Sequence, residues 1–98
     1  MLHIINKSPL TNSSLDSCLR VARTGDILLI EDAVYAAASG NAFEGKIRDA
    51  IGRFKVYVLQ PDLEARGLAD RIIAGVIPVD YGGFVELTTT NTNCQSWL

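Results

Sequence analysis

A chain of 98 residues, 48% of them apolar and 20% charged, has the composition of a folded protein with one modest core. Nine basic against 11 acidic residues leave a formal charge of −2. The Lys and Arg residues are scattered, which argues against a nucleic-acid platform and against a polybasic membrane patch. The longest apolar run, Ala33 to Ala38, falls far short of the roughly 18–20 residues of a membrane span.

The segment Met1 to Lys7 has no basic stretch ahead of an apolar core and is not read as a signal peptide. A cytoplasmic location is expected, with Cys18 and Cys94 as reduced thiols, too few to build a zinc site. Short apolar runs alternate with helical patterns, which predicts stacked β-α units in a single domain over residues 1–98.

The first strand is expected over Leu2 to Asn6, ended by Lys7-Ser8-Pro9. Ser13-Ser14-Leu15-Asp16 fits a capping box, and Leu15, Cys18, Leu19 and Ala22 then make one apolar helical stripe, with Gly25 as a left-handed C-terminal cap. Ile27 to Ile30 is apolar without alternation, as a central parallel strand requires. Glu31-Asp32 closes it, and Asp32 is expected to cap a short helix through Ala33 to Ala37. Phe43, Ile47, Ala50 and Ile51 mark a further helix, Val56 to Leu59 the next buried strand, and Pro61-Asp62 a single turn stopped by Gly67.

A short strand around Ile77 to Val79 carries Pro78, which implies an edge or a strand-start position. Asp80 then caps a helix whose stripe is read as Tyr81, Phe84, Val85 and Thr88, and Ser96-Trp97-Leu98 ends the chain as a strand or docked tail. The fold class that follows is α/β: an open sheet of about five mostly parallel strands with helices on both faces.

Few residues offer chemistry. Neither a GxGxxG after a strand nor a GxxxxGK[ST] occurs, so no nucleotide or other cofactor is expected. His3, the only histidine, is expected at a strand edge, and no serine sits in a nucleophile elbow. Asp32, Asp62 and Asp80 each follow a strand; they read as helix N-caps, with an octahedral metal site as the alternative. No metal is expected. Cys18 admits two readings, a buried thiol on the helix stripe or a thiolate favoured by the nearby helix N-terminus. Cys94, in a polar segment without a cationic neighbour, reads as incidental.

The run Asp26 to Ala37, a strand followed by an acidic pair and an alanine-rich helix, resembles the DsrH/TusB family of sulfur-relay proteins. The resemblance continues through Asn6-Lys7-Ser8-Pro9, Lys55 to Leu59, Asp62 to Gly67, Ile77 to Thr88 and Gln95-Ser96-Trp97. It implies a DsrE-like fold and assembly with two homologous subunits, TusC/TusD-like or DsrF/DsrE-like, as a heterohexamer built from two heterotrimers. It further implies persulfide transfer to a TusE/DsrC-like carrier, either for 2-thiolation of the tRNA wobble uridine or for sulfur oxidation. The family's principal sulfur-carrying cysteine belongs to another subunit, and no cysteine stands here around Gln60-Pro61. Ser14 to Leu19 resembles the cysteine segment of DsrH, which makes Cys18 the candidate persulfide carrier of this chain; a purely structural subunit is the alternative.

Overall fold

The computed structural model describes residues 1–97. Five strands, β1 (Leu2–Ile5), β2 (Asp26–Leu29), β3 (Lys55–Leu59), β4 (Ile77–Val79) and β5 (Cys94–Trp97), form one sheet in the order β4-β3-β2-β1-β5. Every pairing is parallel, so the expectation of a mostly parallel sheet is met throughout. Leu98, placed in the terminal strand by the sequence, lies outside the described residues.

The strand order decides where the helices go. Strands β1 to β4 step in one direction, so right-handed crossovers place their connections on one face. These are α1 (Ser14–Val21), a 3-10 helix (Glu31–Ala37), α2 (Glu44–Ile51) and α3 (Gln60–Ala65). β5 returns to the far side of β1, so α4 (Tyr81–Thr90) crosses the opposite face. Helices thus lie on both faces, four against one.

The larger core joins Ile5, Ile27, Leu29, Val56 and Val58 of the sheet to Leu15 and Cys18 of α1, Ile47 of α2 and Leu63 of α3. Ala33, Ala36 and Ala37 are all buried, and their single methyl groups let the 3-10 helix lie close against β2 and β3. The smaller core has Leu2, Leu28 and Leu87 at its centre, with Ile4, Ile30, Tyr57, Val79 and Phe84 packed around them.

Several local expectations are corrected. The capping box is not formed: Ser13 makes no side-chain cap, and Asn12 Oδ1 instead accepts the Ser14 amide at 2.7 Å. Asn12, one residue further upstream, supplies the short acceptor that α1 needs. Helix α1 ends at Val21, before Gly25 can cap it. Gly25 serves the start of β2 instead, where its φ of +119° and the close approach of the Met1 carbonyl exclude a side chain. In α4 the inward residues are Phe84 and Leu87; Tyr81 and Val85 lie one step around the helix and are exposed. Pro78 sits in an edge strand, as expected.

Candidate functional site

In an open parallel sheet the strand carboxyl ends converge on one rim, and the connecting loops there are the usual place for chemistry. Here that rim carries Asn6-Lys7 after β1, Ile30-Glu31-Asp32 after β2 and Gln60-Pro61-Asp62 after β3. The amide of Ile30 donates to the Ile5 carbonyl at 3.0 Å, prolonging the ladder to the start of the 3-10 helix. Glu31 then turns through a left-handed φ of +51°, the only positive φ among the described non-glycine residues.

The three aspartates take three different roles, and only one is the expected cap of its own helix. Asp80 Oδ1 accepts the Gly83 amide at 2.7 Å. A Cβ on Gly83 would lie 2.9 Å from that of Val79, so the glycine lets this first turn press against β4. Asp62 lies inside the first turn of α3, whose N-cap is Leu59, and it reaches across to accept the Glu31 amide at 2.6 Å. Asp62 therefore caps the neighbouring 3-10 helix. Asp32 caps no helix: its Oδ1 accepts from Arg66 Nε and Nη2 at 3.1 and 2.9 Å. Among the described residues no three His, Cys, Asp or Glu side chains come together as a metal site.

Cys18 is completely buried in the larger core, on the inner side of α1. Burial pushes its thiol up to about 11, because an anion there would lose its hydration. Cys94 is exposed on the edge strand β5, among the uncharged Gln95 and Ser96. The two thiols share no site.

A scan against family models matches residues 7–94 to "DsrH like protein". The chain belongs to the DsrH family. It is 42% identical to "Protein TusB" of Escherichia coli O1:K1, over 99% of this chain and all of that one. "Protein TusB" of Shigella flexneri is 41% identical over the same shares. Among solved structures, the ychN protein of E. coli superposes with a TM-score of 0.78 at 18% identity, over 97% of both chains. MTH1491 of Methanobacterium thermoautotrophicum gives 0.68 at 17%, over 97% of this chain and 95% of that one. Those two likenesses establish the fold alone; the TusB relatives place this DsrH chain on the TusB side of its family.

Some features of this DsrH chain are not evident from sequence. Arg66, which the sequence assigns only to a short turn, ties α3 to the 3-10 helix through Asp32. His3 is not at an edge: β1 is flanked by β2 and β5, and His3 is buried. Its Nδ1 accepts from Trp97 Nε1 at 3.2 Å. A lone histidine in an apolar strand and a terminal tryptophan needing an acceptor are the available signals. Beside the rim, Pro9, Leu10, Tyr35, Phe43, Leu68 and Arg71 line a cleft of about 220 Å³. Asn6 Oδ1, after β1, is buried without a hydrogen-bond partner among the described residues.

Proposed function

We propose that this chain is the TusB-like subunit of a cytoplasmic sulfur-relay complex and works by assembly, while cysteines of its partners carry the sulfur. The observation that carries this reading is the state of Cys18: fully buried, with a thiol too weakly acidic to supply thiolate at neutral pH. Identity to TusB along the whole chain supports 2-thiolation of the tRNA wobble uridine over sulfur oxidation as the destination. The partners in this reading are two homologous subunits, TusC/TusD-like, and a TusE-like carrier. The exposed apolar side chains of Ile77, Tyr81 and Val85 on the sparsely covered α4 face give those subunits a surface to bury.

A second reading keeps Cys18 as a persulfide carrier, favoured by its position within two turns of the α1 N-terminus. It requires α1 to lift from the sheet and a base to take the thiol proton. The thiolate would attack the outer sulfur of a donor persulfide: a new S–S bond forms on Cys18, the donor S–S bond breaks, and the donor leaves as thiolate.

One experiment separates the readings. The assembled complex is exposed to a persulfide donor, and each subunit is weighed for wild type, Cys18→Ser and Cys94→Ser. The assembly reading expects no sulfur adduct on this chain and unchanged flux to the carrier in Cys18→Ser. An adduct lost only in Cys18→Ser, with reduced flux, establishes the second reading. Restoration of wobble 2-thiouridine in cells lacking TusB tests the destination.

A further inference from the structure

The two edges of the sheet are not equivalent. β4 has three residues with Pro78 at the centre, which has no N–H to offer a further strand. β5, although only four residues long, has no such chemical block: Cys94-Gln95-Ser96-Trp97 contains no charge and no proline. Its pairing with β1 fixes which backbone groups are free. Leu2 N donates to Asn93 O at 2.9 Å, and Leu2 and Ile4 align with Cys94 and Ser96. In a parallel ladder this turns the backbone of Gln95 and Trp97 towards β1, and the N–H and C=O of Cys94 and Ser96 outward. Beside the edge, Met1 and Val21 are 48% and 63% exposed and border a groove of about 460 Å³ that Trp97 also lines.

We propose that β5 is a self-pairing edge, which joins two copies of this chain antiparallel across a two-fold axis with Cys94 opposite Ser96 of the other copy. The register follows from the outward groups. Hydrogen-bonded pairs in an antiparallel ladder must be residues whose N–H and C=O face the partner. Among the described residues, only Cys94 opposite Ser96, with Gln95 meeting its own copy on the axis, engages both outward residues of both strands. A second copy fits better than an open series of copies. A chain of β5-to-β4 contacts needs a donor that Pro78 lacks, whereas β5-to-β5 closes after two. The uncharged strand also lets two chains of charge −2 approach without like charges meeting at the seam. This surface is separate from the α4 face and does not depend on the sulfur-relay reading.

Directly opposed residues in such a pair have Cα atoms about 5.5 Å apart, within disulfide range. Ser96→Cys therefore places a new thiol opposite the native Cys94 of the second copy. Mild oxidation of the full chain, alone and assembled with its homologous subunits, should give a covalent homodimer. Two bridges are expected in it, each joining Cys94 of one copy to the thiol introduced at position 96 of the other, identified by peptide mass. Cys94→Ser/Ser96→Cys should give little, because the two introduced thiols are then diagonal across the seam. Ser96→Pro removes one outward N–H per copy and no bond to β1. It should weaken dimerisation, measured by sedimentation, by about tenfold or more while leaving the circular dichroism unchanged. Equal cross-linking in the Cys94→Ser control, a wild-type chain monomeric at the highest concentration reached, or a bridge to a homologous subunit instead of a second copy would each overturn the proposal.

Discussion

Asp62 holds Glu31 in a left-handed backbone conformation from a neighbouring helix, accepting its amide at 2.6 Å. The contact joins the carboxyl ends of β2 and β3, where Arg66 adds a second tie through Asp32. The Arg66–Asp32 pair, with Asp32 largely exposed, is worth under about 1 kcal/mol. The Asp62 hydrogen bond is the stronger support, since it satisfies an amide at a helix start and offsets the cost of a non-glycine residue in that conformation.

Two substitutions test this division. Asp62→Ala should lower the unfolding free energy by about 1–2 kcal/mol, whereas Asp32→Ala should cost less than about 1 kcal/mol. Glu31→Gly should be neutral or stabilising by up to about 1 kcal/mol, because glycine adopts that φ without strain. Denaturant midpoints at unchanged slope are the readout. A destabilised Glu31→Gly would mean that the side chain, not the backbone, is what this position supplies.

Cys18 and Cys94 should differ sharply in reactivity. Cys94 is exposed and should be alkylated within minutes at pH 8, while Cys18 should be labelled only through opening of the core. The thiol also gives a direction to alkaline stability. Burial raises its pKa from 9.0 to about 11 in the folded chain, so between those values the unfolded chain is the first to lose its proton. Stability is therefore intact below about pH 9 and falls as pH rises towards 11. Cys18→Ala should flatten this part of the profile at a cost of about 1–2 kcal/mol at neutral pH. Rapid labelling of Cys18 in the native chain would contradict the core assignment.

Much of the architecture was legible because parallel strands buried on both faces read as apolar runs. Ile27 to Ile30 and Val56 to Leu59 have no other use. The aspartates were harder. Asp80 could be placed because its acceptor and donor are three residues apart, whereas the partners of Asp62 and Asp32 are 31 and 34 positions away. Local spacing carries no information about such pairs. The α4 stripe differs from its sequence reading for a related reason. In Tyr81 to Thr88 the apolar side chains surround much of the helix, so periodicity does not select the inward side. The sheet selects it, by presenting Leu2 and Leu28 to Leu87.

The Trp97–His3 contact pins the edge strand to its neighbour. Trp97→Phe keeps most of the packing and removes the indole donor, leaving a buried imidazole nitrogen without its partner. A loss of about 1–2 kcal/mol is expected, with faster amide exchange in β5 than in β3. His3→Phe removes the acceptor and should expose the same weakness. If exchange in β5 is unchanged in both variants, the strand is held by its backbone ladder alone.

Tyr81 and Val85 are 62% and 60% exposed, one turn apart on α4, and Ile77 lies nearby on the edge strand with 41% exposure. Nothing within the described chain covers them, although α4 is the only helix on that side of the sheet among the described residues. Because both helix positions are exposed, Tyr81→Ser/Val85→Asp should alter the stability of the isolated chain by no more than about 0.5 kcal/mol per site. If the homologous subunits bury this patch, placing a carboxylate at its centre costs the desolvation of an unpaired charge, and co-purification should fall at least about tenfold. Glu64→Lys, an exposed change on α3 of the opposite face, is the control and should leave assembly intact. Full recovery of both subunits with the double variant would move the interface to another face. Loss of assembly in the control alone would move it to the side of the sheet that α3 covers.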